Sequence, residues 1–147
     1  MTKRKAVIFD MDGTLADVRG IRHHVLGRRR DFDAFHAESV NVPPTPHVAN
    51  AAVMADMLGV DVVVVTARKV RWARHTAMWL AMNRIPSAAM FMRADKDSRP
   101  DVEVKRDILR SIRRTWDVIA AWDDNPKIVA LWESEGITTH RVDGWVE

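Results

Sequence analysis

The chain has 147 residues, 47% of them hydrophobic and 29% charged, which suits one compact globular unit and excludes a low-complexity or disordered chain. It contains no cysteine, which excludes a disulfide scaffold and a thiolate metal site and fits a reducing compartment, the cytoplasm. The formal net charge of +3 suits an anionic partner or simple solubility, and no stretch approaches the roughly 20 apolar residues of a membrane span.

In chain order, "AVIF" at 6–9 reads as a buried strand, short, β-branched and aromatic, cut off by Asp10 and Gly13. The basic start before it mimics a signal peptide, but the apolar run stops far too soon for one. Residues 18–44 fit no regular alternation and read as a small insertion, with "DFDAF" at 31–35 as a short helix and "NVPPTP" at 41–46 as a loop. A helix follows over 45–58, with Thr45 as N-cap, Pro46 at the first helical position and Gly59 past the end. "DVVVVTAR" at 61–68 contains the second strand. The next helix, 69–83, places Trp72, Thr76, Trp79, Leu80 and Asn83 on one stripe. "AAMFMR" at 88–93 is a third strand, and 101–114 a helix with Val104, Ile108, Leu109 and Ile112 on one face. "DVIAAW" at 117–122, a helix over 125–136 and "ITTHRV" at 137–142 complete the series. Continuous apolar strands alternating with helices predict an α/β fold, a doubly wound parallel sheet in a single domain over 1–147, with the insertion too small to be a large cap.

In such sheets ligands bind beyond the carboxyl ends of the strands. Asp10 and Asp12 follow strand one, Thr66 and Arg68 strand two, Asp101 and Lys105 strand three, and Asp123 and Asp124 strand four. Each group alone has a bland explanation. Asp and Gly form turns, and acids suit a helix N-terminus. Turn chemistry does not explain two acids one residue apart, nor the whole set at one sheet edge.

In this order the motifs "FDMDGT", "VVVVTAR", Lys105 and "AWDDNP" resemble the haloacid dehalogenase superfamily of phosphotransferases. That resemblance implies a Mg²⁺-dependent phosphatase. A phosphate dianion repels a carboxylate until a cation neutralises both. Asp10, at the strand tip, becomes the nucleophile and forms an aspartyl phosphate, while Asp12 handles the proton. Asp10, Asp12, Asp123 and Asp124 make up the metal site, Asp12 through its backbone carbonyl. Thr66 and Lys105 hold phosphoryl oxygens, and Arg68 grips a phosphate. Asp101 either positions Lys105 or faces solvent.

The same motifs, with "DSRPDVEVKRDIL" and "RHHVLGRRRDFDAF", look like the phosphatase domain of phage and bacterial polynucleotide kinase–phosphatases. This implies removal of 3′-phosphates from DNA or RNA ends, a role in nucleic acid repair, and a substrate arginine after the first motif, Arg19 or Arg22. A small phosphomonoester such as a nucleotide is the alternative substrate. A phospho-accepting receiver and an inactive nucleic-acid binder are the rival classes. No G-x-x-x-x-G-K-[ST] pattern occurs, so a kinase or ligase partner is expected on another chain or domain. Arg28–Arg30 read as a solvated loop. His23 and His24 lack a third ligand at a suitable spacing, so no transition metal is expected there. Trp72, Trp79, Trp122 and Trp132 are assigned to the core, and Trp116 and Trp145 to a subunit contact in a homo-oligomer.

Overall fold

A computed structural model describes residues 2–144. Its strands are β1 (Arg4–Phe9), β2 (Asp61–Lys69), β3 (Ala89–Arg93), β4 (Trp116–Asp123) and β5 (Thr138–Arg141). Its α-helices are α1 (Phe32–Glu38), α2 (Pro46–Met57), α3 (Ala73–Met82), α4 (Asp101–Ile112) and α5 (Pro126–Ser134). The strands are all parallel, in the order β3-β2-β1-β4-β5. The winding direction reverses between β1 and β4, so the crevice at their carboxyl ends is the natural ligand position. A receiver domain of the flavodoxin-like kind has order 2-1-3-4-5, which this sheet does not share.

The two strand faces build two cores. Val7, Phe9, Val62 and Val64 pack with α2, α3 and the insertion, through Val48, Ala52, Trp79, Leu80, Ile21 and Phe35. Ala6, Ile8, Val63 and Val65 face the other way, onto Leu109 and Ile112 of α4 and Ile128, Leu131 and Trp132 of α5. Consecutive side chains alternate across a strand, so a run such as Val62–Val65 serves both layers.

β4 departs from the expected continuous burial. The register against β1 shifts between Ala6 and Val7, whose partners are Val118 and Ala120. The skipped residue, Ile119, is a bulge and is exposed. The helix expected from residue 69 starts later, because β2 runs on to Lys69 and a 3-10 turn, Val70–Trp72, intervenes.

Residues 18–44 form a 3-10 helix (Arg19–His24), α1 and a second 3-10 turn (Ser39–Asn41). Their apolar side chains Ile21, Val25 and Phe35 are buried in the first core, and the Trp79 indole donates to the Val42 carbonyl at 2.8 Å. Trp79 and Trp132 are core residues as expected. Trp72 and Trp122 are only half-buried, Trp122 stacking between Phe9 and His140. Trp116 makes an internal tie, donating to the Asp61 carboxylate at 2.9 Å. Trp145 lies outside the described residues.

Candidate active site

The Asp10 N–H still donates to the Trp122 carbonyl at 3.1 Å, which ties the tip of β1 to β4 before the chain leaves the sheet. A tight loop follows, closed by the Thr14 and Ala16 N–H groups on the Met11 carbonyl. Gly13 lies in this loop with φ of 81°, and a Cβ there would collide with the Asp124 carboxylate. Both facts demand glycine, and they explain why it stands between the acid pair and Thr14.

Three carboxylates converge in this crevice. Asp10, Asp123 and Asp124 are all buried, and one oxygen from each lies within 4.8 Å of the other two. Lys105, buried on α4, is their counter-charge. Its Nζ donates to Asp10 Oδ1 at 2.9 Å and to Asp123 Oδ2 at 2.8 Å. The Thr14 hydroxyl lies 3.3 Å from Asp10 Oδ2 and 3.1 Å from Asp124 Oδ1. Thr14 was given no role from sequence, although the threonine of "DGT" was its signal.

One ammonium cannot neutralise three buried carboxylates. Burial, and next the Asp123 charge, push the Asp10 carboxyl well above its ordinary range against the pull of Lys105. Burial also raises Asp124 to about 6, although hydrogen bonds with Asp10 and Thr14 oppose it. The Lys105 ammonium is held above its ordinary value. Burial alone would lower it, but Asp10 and Asp123 outweigh that. A buried all-oxygen donor set short of positive charge fits a hard divalent cation. Such a cation competes with protons for the raised Asp10 and Asp124 carboxylates. Its apparent affinity should therefore fall roughly tenfold per pH unit for each proton displaced as pH drops through about 6. Calorimetric Mg²⁺ titrations between about pH 7.5 and about pH 5 test this, and a flat affinity would refute it.

Asp12 stands apart from that cluster. Its carboxylate is gripped by Arg68, whose Nε donates to Oδ2 at 2.9 Å while Nη2 donates to Oδ1. Arg68 Nη1 donates to Thr76 Oγ1 at 3.0 Å. Burial alone would raise the Asp12 carboxyl, but the Arg68 charge and hydrogen bonds outweigh it and hold it below the ordinary value. Arg68, expected to grip a phosphate, is thus committed to Asp12, and Asp12's side chain is not among the clustered acids. The cause lies in β2. Its register against β3 jumps from Thr66–Met92 to Lys69–Arg93, leaving Ala67 and Arg68 as a bulge. Bulges beside functional sites re-aim side chains. Thr66, buried at the same strand end, accepts the Arg68 N–H at 3.1 Å, leaving its own proton to donate.

Asp101 is half-exposed and shares no hydrogen bond or ion pair with Lys105, whose ammonium is held by Asp10 and Asp123. It pairs with Arg93, a buried guanidinium that also donates to the carbonyls of Ala67 at 3.1 Å, Asp97 at 2.9 Å and Arg99 at 2.6 Å. Arg93 thereby fixes the loop that delivers α4 and Lys105. Nothing in the sequence distinguished it. Arg19 is exposed and paired with Asp17, its Nη2 2.6 Å from Oδ2. Arg22 is half-buried on the same 3-10 helix. His36, also without a sequence signal, sits within reach of the Asp12 charge. Burial lowers its imidazole to about 4, with Asp12 opposing.

The family profile for the polynucleotide kinase PNKP phosphatase domain matches residues 4–144. Among solved structures, a chain of the Pnkp1/Rnl/Hen1 RNA repair complex is similar at 25% identity and a TM-score of 0.83, over 95% of this chain and 42% of that one. A second Pnkp1/Rnl/Hen1 complex gives 26% and 0.83, over 97% of this chain and 47% of that one. The class C acid phosphatase from Bacillus anthracis with tungstate bound shares the fold at 16% identity and a TM-score of 0.78, over 100% of this chain and 69% of that chain. The chain thus spans less than half the length of the chains it matches in these two complexes. Among the described residues, no helix is long and apolar enough to cross a membrane.

Proposed function

The chain belongs to the PNKP phosphatase-domain family of haloacid dehalogenase phosphatases and is a phosphomonoester hydrolase; from that premise we propose that it removes 3′-phosphates from DNA or RNA ends, with Mg²⁺ as cofactor. The observation that carries the reading is the meeting of Asp10, Lys105, Asp123 and Asp124 at the β1–β4 crevice, with the separate Asp12–Arg68 pair beside it. Bound by oxygens of Asp10, Asp123 and Asp124, the cation supplies the positive charge that lets a carboxylate approach a phosphate dianion.

Asp10 attacks phosphorus, the bond to the 3′-oxygen breaks, and the phosphoryl group stays on the Asp10 carboxylate. Lys105 and Thr66 donate to its oxygens. Asp12 protonates the leaving oxygen, which requires it to carry a proton at that moment. The Arg68 pair favours the opposite, ionised form. We therefore assign Arg68 two positions: on Asp12 in the free enzyme, and on the substrate's phosphate once that arrives, which frees Asp12 to take up a proton. In the second half Asp12 accepts a proton from water as the water attacks phosphorus. The Asp10–phosphate bond breaks and inorganic phosphate leaves.

Arg19 suits contact with a neighbouring backbone phosphate, because an exposed ion pair such as Arg19–Asp17 is weak and readily exchanged. The cysteine-free composition supports a cytoplasmic setting. The presence of a similar chain in a Pnkp1/Rnl/Hen1 RNA repair complex supports a repair partner such as a ligase or kinase. The test is phosphate release from 3′- and 5′-phosphorylated oligonucleotides and from mononucleotides. The 3′-oligonucleotide should be preferred at least about tenfold in kcat/KM. Preference for the mononucleotide or the 5′ end would overturn the substrate assignment and leave the hydrolase standing.

A further inference from the structure

The insertion gathers a second set of metal-competent side chains that the phosphatase chemistry does not use. His23 and His24 end the 3-10 helix Arg19–His24, and Glu38 ends α1. The sequence offered no third ligand for the histidine pair, because Glu38 arrives only through the packing of α1 against the 3-10 helix. One ligand atom from each of the three lies within 4.8 Å of the other two. We propose that His23, His24 and Glu38 form a binding site for a divalent transition-metal ion of the zinc class, distinct from the acidic crevice.

The donor set favours this class. Two imidazole nitrogens and one carboxylate oxygen suit Zn²⁺, whereas Mg²⁺ selects all-oxygen sites such as Asp10, Asp123 and Asp124. The local geometry leaves a cation-shaped deficit. His24 Nε2 is shut off from solvent and lies 2.9 Å from Glu38 Oε2, yet no aligned hydrogen bond joins them. The His23 ring packs on His24 with centroids 4.1 Å apart. An ion between the three would satisfy the buried nitrogen and the carboxylate together.

The frame that holds the ligands is preformed. The Asp31 N–H donates to the His24 carbonyl at 2.6 Å, and the Asp31 carboxylate caps α1 by accepting the Ala34 N–H at 2.9 Å. Ile21, Val25 and Phe35 bury the underside of both segments. Rotation of the three side chains about this fixed frame can bring their ligand atoms to the roughly 3.4 Å edge of a tetrahedral zinc site. His23 and Glu38 are exposed, so an ion can reach the three from solvent, and Glu38 also borders a hollow of about 600 Å³ lined by Asp17, Arg19 and Asn41. A bound ion would staple the helix carrying Arg19 and Arg22 to α1, which carries His36 beside Asp12.

The test is calorimetric titration of the chelator-treated full chain with Zn²⁺ alone as probe, in excess Mg²⁺ so that the acidic crevice is filled. No substrate is present, so the outcome is independent of the phosphatase assignment. One equivalent of Zn²⁺ should bind, and Co²⁺ in its place should show the visible absorption of a tetrahedral ion. His24→Ala and Glu38→Gln should each weaken Zn²⁺ binding at least about tenfold, while Asp123→Asn leaves it unchanged. Glu38→Gln changes an exposed side chain and keeps the fold, so its result stands even if His24→Ala misfolds. No bound equivalent, unaltered binding in Glu38→Gln, or loss in Asp123→Asn would overturn the site.

Discussion

Asp10→Asn should abolish turnover, with kcat down about 10⁴-fold or more, in a protein that remains folded. The amide cannot carry the phosphoryl group, so both half-reactions stop. The fold persists because the replacement keeps its shape and its contacts. An amide oxygen still accepts from Lys105, and the NH₂ can donate to Asp124, while Lys105 keeps Asp123 at 2.8 Å. It also removes a charge that burial and Asp123 already disfavour. In chelator the thermal midpoint should accordingly equal or exceed that of the parent. Asp12→Asn should behave differently. The nucleophile is intact, but the leaving oxygen loses its acid and the water its base, so both half-reactions should slow, and the phosphoprotein that does form should be long-lived and visible by mass spectrometry of quenched enzyme. That variant also strands the Arg68 guanidinium and should lose stability. An Asp10→Asn protein turning over within about tenfold of the parent would remove Asp10 from its assigned role.

Lys105→Met should destabilise the metal-free protein by about 3–5 kcal/mol, the range for removing one partner of a buried ion pair. Lys105 is 3% exposed and is the cation that touches both Asp10 and Asp123. Without it three carboxylates share a buried crevice with the neutral Thr14 hydroxyl and Asn125 N–H as donors beside them. Two consequences separate this cause from a simple packing loss. Added Mg²⁺ should restore part of the lost stability, because the cation replaces the missing charge. Asp10→Asn in the same chain should also recover part of it, with a coupling of about 1 kcal/mol or more. Urea denaturation of the two single variants and the double variant, with and without metal, measures both. Equal losses with and without Mg²⁺ and strict additivity would mean that charge is not what Lys105 contributes.

The acid pair and the sheet were legible in the sequence for the same reason. A four-residue apolar run followed by two aspartates, glycine and threonine reads as a buried strand delivering polar groups to its tip. Strand–helix alternation then fixes which edge those tips share. Lys105 was legible only through family likeness, since a helical lysine carries no local mark. What stayed hidden depended on offsets between neighbouring strands. Arg68 turns towards Asp12 because β2 bulges over Ala67 and Arg68, and hydrophobic pattern carries no information about a bulge. The sequence leaves Asp101 either beside Lys105, four positions on along the same helix, or facing solvent; the side chain is half-exposed, and Arg93 arriving from β3 pairs with it. Glu38 joined His23 and His24 by tertiary packing alone, and a search by spacing along the chain misses such a ligand.

The neighbour relation of β1 and β4 also bears on when this enzyme becomes active during synthesis. Thr14 and Asp124 share a hydrogen bond across 110 residues of sequence, so the first motif leaves the ribosome long before its partner exists. A nascent chain stalled anywhere before β4 presents Asp10 with neither Asp123 nor the edge that orients it. Catalytic competence should therefore switch on abruptly once β4 and the start of α5 have been made, and products ending before β4 should be silent rather than partly active.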